Sequence, residues 1–160
     1  MSAESSLELA DESATLRLGA ALATGIAPGR VLHLSGELGS GKTTLVRGLL
    51  RELGHTGRVK SPSYPLLELY VVSRLNLYHF DFYRFKDRSE WLDSGFRDYF
   101  NAQSACVVEW PERAGGLLAP PDLAVRLEIP GQGRRAWLSA PTPSGAAWLA
   151  QSLRRYSSAA

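Results

Sequence analysis

Leucine and alanine recur at helical spacing over residues 11–24, behind a polar Asp11 or Ser13 suited to capping. This predicts an amphipathic helix, ended by Ala27-Pro28-Gly29. Residues 31–35 form a short apolar strand; glycines follow, and residues 42–53 return to the helical period before Gly54 closes them. Residues 66–72 and 75–83 are rich in aromatic and β-branched side chains around the polar Ser73-Arg74, which predicts two antiparallel strands joined by a tight turn. Short helices are expected at 87–92 and 96–101. Residues 105–108 are continuously apolar, as in a strand buried on both faces of a partly parallel sheet. Further strands are expected at 122–129 and 135–140, a closing helix at 143–156, and a frayed tail at 157–160.

A chain of 160 residues is one domain's worth, read here as residues 1–156, with Pro120-Pro121 a connection rather than a linker. No internal repeat interrupts the alternation of strands with helices, which argues for a three-layer α/β domain. Apolar residues make up 44% and charged residues 21%, the balance of a folded globular protein. Net charge is +2, and the arginines are dispersed, so the chain does not advertise a grip on nucleic acid; no DNA contact is expected. Cys106 is the single cysteine and lies in the apolar run, which excludes an internal disulfide and fits a reducing, cytoplasmic setting. The acidic start has no secretion-signal pattern, and no stretch is apolar for long enough to span a bilayer.

The chemistry concentrates between the first strand and the helix after it. Gly36-Glu37-Leu38-Gly39-Ser40-Gly41-Lys42-Thr43 has two glycines four residues apart followed by Lys and Thr, in the strand–loop–helix context of a phosphate-binding P-loop. The expected fold is therefore the P-loop NTPase arrangement, a mixed, mostly parallel central sheet with antiparallel edge strands. Glycine lets the backbone approach phosphate oxygens, so amides of Leu38, Gly39, Ser40, Gly41, Lys42 and Thr43 would converge at a helix N-terminus. Lys42 adds a charge for the β- and γ-phosphates of ATP, and Thr43 offers a hydroxyl to Mg2+. The Thr44 hydroxyl reaches the α-phosphate or caps the first helical turn.

Such a site needs a carboxylate on a neighbouring strand. Glu109 follows the buried run and should emerge at the carboxyl end of a core strand, where ligands sit in open α/β sheets. Asp81 ends the second hairpin strand, and alternation puts His79, Asp81 and Tyr83 on one face. Either carboxylate can hold magnesium through water or orient the attacking water. His79 is a general base or a hydrogen-bonded structural histidine; Arg84 offsets phosphate charge or pairs with an acid. Ser63, in Lys60-Ser61-Pro62-Ser63, is the candidate hydroxyl of a switch-like segment. Trp110, beside Glu109, is a partner contact or a core residue.

Taken together, these motifs resemble the TsaE family, also called YjeE. The likeness rests on the loop with Thr44 and Arg47-Gly48 after it, on Val59-Lys60-Ser61-Pro62-Ser63-Tyr64, on His79-Phe80-Asp81-Phe82-Tyr83-Arg84 and on Val108-Glu109-Trp110. It implies a P-loop ATPase that hydrolyses ATP slowly and supports threonylcarbamoyladenosine formation on tRNA with TsaD and TsaB partners, contacting tRNA at most indirectly. It also implies that Thr43 and Glu109 handle magnesium, and that Asp81 and Trp110 serve hydrolysis or coupling, alongside His79, Tyr83 and Arg84. Ser63 stands where the family usually has Thr, keeping the hydroxyl but losing the methyl that restricts its rotamer. The family's adenine pocket would fall near Glu12 and Ser13.

Two other readings share the loop. A small-molecule kinase should carry an arginine-rich lid, for which Arg134-Arg135 is the only candidate, and an ATP-sensing module would bind without turnover. No Asn-Lys-x-Asp guanine signature supports a GTPase.

Overall fold

Period-two alternation begins at the start of the chain, where Ala3, Ser5 and Leu7 are half-buried and Glu4, Ser6 and Glu8 are exposed. These residues form β1 (Ala3–Leu9), a strand that the acidic start of the sequence does not announce. The computed structural model describes residues 2–64 and 66–158. Helix α1 (Glu12–Ala23) follows, capped by Asp11 rather than Ser13: the Asp11 carboxylate accepts from the Ala14 amide at 2.9 Å. Then come β2 (Val31–Ser35) and α2 (Lys42–Glu52). The hairpin pairs β3 (Leu67–Val72) with β4 (Leu75–Asp81) through Ser73 and Arg74, both left-handed at φ 50° and 63°, as a two-residue hairpin turn requires.

β4 stops two residues short of the expected Tyr83, because the chain turns at Phe82 to Phe85. Asp87 caps α3 (Arg88–Ser94), and a 3₁₀ turn at Phe96–Tyr99 replaces the second expected helix. After β5 (Ser104–Glu109) a 3₁₀ turn at Pro111–Ala114 leads to β6 (Leu123–Glu128), β7 (Arg134–Ala140) and α4 (Pro143–Ser158). The helix takes in Ser157 and Ser158 from the expected tail; residues 159–160 lie outside the described residues. Among the described residues no helix is long and apolar enough to cross a membrane.

Among the described residues, the seven strands join one sheet in the order β1-β7-β6-β2-β5-β4-β3. The central four, β6-β2-β5-β4, are parallel, and the flanking pairings are antiparallel, as the sequence predicts. Helices α1, α2 and α4 cover one face, burying Leu32, Leu34, Leu77, Val107 and Val125 in the larger core. The opposite face carries an aromatic cluster of Phe80, Phe82, Phe85 and Trp91 beneath α3 and the two 3₁₀ turns. That second layer spans only the β4–β5 half, and beyond it Arg126 and Trp137 stand exposed on β6 and β7. Cys106 is buried in the aromatic cluster, and burial pushes its thiol up to about 12.

Two glycines set the distance between α1 and α2. A Cβ on Gly19 would run into the Leu45 carbonyl, and one on Gly48 into the Leu16 carbonyl, well inside van der Waals contact. The backbones therefore touch directly, which fixes where α2 begins. Alanine is better than glycine in a helix by ~1 kcal/mol. Gly48→Ala should nonetheless destabilise the fold by about 1–3 kcal/mol through overpacking. Urea unfolding measures this, and a stabilised variant would show that the helices do not pack so closely.

Candidate functional site

β2 ends at Ser35 in the middle of the parallel strands, and the chain reverses into α2 over six residues. Gly36, Gly39 and Gly41 take φ of 137°, 80° and 108°, closed to other residues at little cost. Gly41 is the N-cap of α2 and supplies no side-chain bond, so the first amides of the helix remain free for an anion together with the positive end of the helix dipole. The Ser40 side chain is buried; its hydroxyl lies 3.5 Å from the Lys42 ammonium.

Lys42 bends back over this loop. Its ammonium donates to the carbonyls of Gly36 and Glu37, and lies 4.5 Å from the centre of the Trp110 ring. Burial holds the ammonium below the ordinary lysine value, opposed by the negative fields of Glu109, Asp81, Glu112 and Glu37.

β5 and β4 run parallel in a register that sets Asp81 directly beside Glu109 at their carboxyl ends. Glu109 is 2% exposed. The Thr43 hydroxyl donates to it at 3.2 Å, and His79 Nε2 lies 2.7 Å from the same carboxylate oxygen. The Asp81 carboxylate accepts from the Ser61 hydroxyl and, at 2.9 Å, from the Tyr83 amide.

These groups line a cleft of about 470 Å³. Into it the fold brings Leu38, Gly39, Gly41, Lys42, Thr43, Thr44, Ser63, Asp81, Tyr83, Arg84, Glu109 and Trp110, all expected from sequence. The Tyr83 and Trp110 rings pack 4.9 Å apart to form one wall, with the Arg113 guanidinium 5.3 Å from the indole. Trp110 sits at φ 58°, a left-handed turn at the end of β5 that swings the ring back over the loop. Its ring is therefore site wall rather than pure core. Arg84 is exposed at the rim and has no ion pair among the described residues.

Of the two readings of His79, the geometry agrees with the hydrogen-bonded one: it is fully buried and bonded to Glu109, so neither base chemistry on water nor direct partner contact is open to it. Ser13 is exposed and does not line the site, whereas Glu12 lines an adjoining cleft of about 300 Å³ with Thr15, Gly39, Thr44 and Arg134.

Two residues at the site are not assigned to it from sequence. Ser61 holds Asp81; it lies in the same short segment as Ser63, and nothing local separates the two hydroxyls. Arg134 reaches 94 residues back to donate from Nε to the Ser40 carbonyl at 3.2 Å, and from Nη2 to the Gly39 carbonyl at 3.0 Å. It braces the loop from outside rather than forming a lid.

A strand, a positive-φ glycine loop with a buried lysine, a helix N-terminus and strand-end carboxylates together define a P-loop α/β protein of the nucleotide-binding class. The family model described as threonylcarbamoyl adenosine biosynthesis protein TsaE matches residues 9–136. The chain belongs to this family. Relatives named tRNA threonylcarbamoyladenosine biosynthesis protein TsaE include one from Haemophilus influenzae, 44% identical over 72% of this chain and 73% of its own. Another, from Bacillus subtilis, is 40% identical over 68% and 67%. The crystal structure of Bacillus subtilis YdiB superposes with a TM-score of 0.82 at 27% identity, covering 96% of this chain and 97% of that one.

Removing the brace should loosen the loop. Arg134→Ala is expected to weaken nucleotide binding by about tenfold, the value of one or two charge-assisted hydrogen bonds, with little change in melting temperature. Calorimetric titration with a nucleoside triphosphate checks this; unchanged affinity would mean that the loop holds its shape unaided.

Proposed function

We propose that this chain is a slow, Mg2+-dependent ATPase that supports threonylcarbamoyl transfer to the adenosine next to the tRNA anticodon, acting in the cytoplasm with TsaD- and TsaB-type subunits. The observation that carries the reading is the meeting of Thr43, Glu109 and Asp81 at the mouth of the glycine loop. Magnesium favours oxygen donors, keeps several waters and is held at nucleotide sites by one or two protein oxygens together with phosphates. The hydroxyl of Thr43 and the carboxylate of Glu109, already 3.2 Å apart, fit that donor set, and Ser63 is the candidate third oxygen on the switch-like segment. When bound, the metal would supply charge neutralisation on the phosphates.

The chain's own groups do the rest. Loop amides and the α2 N-terminus bind the phosphates, and Lys42 exchanges the Gly36 and Glu37 carbonyls for phosphate oxygens. Asp81, held by Ser61 and the Tyr83 amide, would orient a water, with Glu109 beside it. Thr44 faces both clefts and suits the α-phosphate, while Glu12 and Arg134 flank the space for the base. Tyr83, Arg84 and Trp110, at the exposed end of the cleft, are the surface through which partners would sense the nucleotide. Contact with tRNA would pass through those partners. The kinase reading loses support because Arg134 is committed to loop carbonyls and the late region forms the sheet strands β6 and β7.

Lys42→Ala should weaken ATP binding by at least ~100-fold, whereas Glu109→Gln should hold metal-free ATP affinity within about threefold and lower phosphate release by ~100-fold or more. Single-turnover assays on the chain, alone and with the two partner subunits, read this directly. Undiminished release by Glu109→Gln would remove that residue from the chemistry, and failure to co-purify with either partner would remove the assembly.

A further inference from the structure

His79 is a fully buried imidazole in the middle of a mostly apolar strand face, following Leu75 and Leu77 at period two. One ring nitrogen, Nε2, meets the Glu109 carboxylate at 2.7 Å; the other, Nδ1, is buried with no hydrogen-bond partner among the described residues. An unpartnered buried polar atom is unfavourable, because its hydration is lost and not replaced. An apolar residue at this position would carry no such cost, so packing alone does not account for a histidine here. What the histidine supplies is the bond from Nε2.

The carboxylate of Glu109 has two neighbours that donate to it, Thr43 Oγ1 from α2 and His79 Nε2 from β4. Thr43 is the group expected to turn toward a metal when a nucleotide arrives, which leaves His79 as the donor that stays. A carboxylate at the end of a strand has free rotation about its last bonds; a second fixed donor removes it. The tautomer follows from the same geometry: Nε2 must carry the proton to face a carboxylate, and a proton on Nδ1 would have no acceptor.

We propose that His79 is a positioning residue of this site, its Nε2–H locking the Glu109 carboxylate toward Thr43 so that both oxygens face the metal–phosphate position together. The proposal rests on the reading of Glu109 as the carboxylate that acts at the Mg-nucleotide. His79 touches neither nucleotide nor water; it acts through Glu109.

The substitutions that separate this role from plain packing are His79→Gln and His79→Asn. The glutamine amide nitrogen falls near the place of Nε2 and can donate to Glu109, whereas the asparagine nitrogen falls near Nδ1 and cannot reach it. His79→Gln should retain phosphate release within about threefold of the parent chain, and His79→Asn should lose about thirtyfold or more in kcat with metal-free ATP affinity unchanged. Both variants should remain folded, with His79→Asn melting below His79→Gln because the bond to Glu109 is lost. Equal rates for Gln and Asn would overturn the proposal.

A second readout needs neither metal nor turnover. Long-range proton–nitrogen NMR on the nucleotide-free chain should show His79 as the Nε2–H tautomer, and should show that Glu109→Gln perturbs the Nε2 signal. The Nδ1–H tautomer would overturn the proposal even if His79→Asn does not fold. If the parent chain binds ATP but releases no phosphate, the ATPase reading fails by itself. The proposal then stands or falls on whether His79→Asn, and not His79→Gln, loses the strengthening of ATP affinity by Mg2+.

Discussion

A carboxylate taken almost wholly out of water must be met by donors or cations, or it will be protonated or destabilise the fold. Glu109 is in that position at the end of β5, and much of the surrounding architecture answers the requirement. The parallel register brings β4 and its His79 alongside, α2 delivers the Thr43 hydroxyl, and the Lys42 ammonium lies close enough to feel the carboxylate's field. The positions of α2 and β4 are thus tied to one charged group. The direct helix contact at Gly19 and Gly48 holds α2 in register with it from the other side.

The same centre explains why the loop is ordered around an inward-turned lysine. Lys42 bridges the carbonyls of Gly36 and Glu37 and packs under Trp110, whose left-handed backbone is what lets a residue just past the strand lie over the loop. Nucleotide binding would compete for that ammonium and so disturb the indole and its neighbour Tyr83, whose rings pack 4.9 Å apart.

Much of the fold was legible because its signals are local. The glycine loop, the hairpin at Ser73-Arg74 and the buried run around Val107 each carry their own turn chemistry or periodicity, and their predicted order matches the sheet. β1 escaped because its apolar positions alternate with serine and glutamate, and charge dominates the impression before the pairing strand is known. The site split in the same way. Lys42, Thr43, Glu109 and Asp81 are announced by motif and strand end. Ser61 on Asp81, Nε2 of His79 on Glu109 and Arg134 on the loop carbonyls join residues 20, 30 and 94 or 95 positions apart, and only the topology puts them together. Burial also decides between roles that sequence leaves open: it withdraws His79 from solvent, leaves Arg84 at the rim, and places Ser13 away from the cleft that Glu12 lines.

The first strand pairs with the last, Ala3 facing Ala140 and Leu9 facing Arg134. During synthesis β1 would emerge from the ribosome long before its only neighbour in the sheet, and its backbone groups would remain solvated until β7 arrived. Non-local pairing of this kind is slow to form. Such an edge should be the last part of the sheet to close and the first to open, making it a natural place for chaperone capture in the nascent chain.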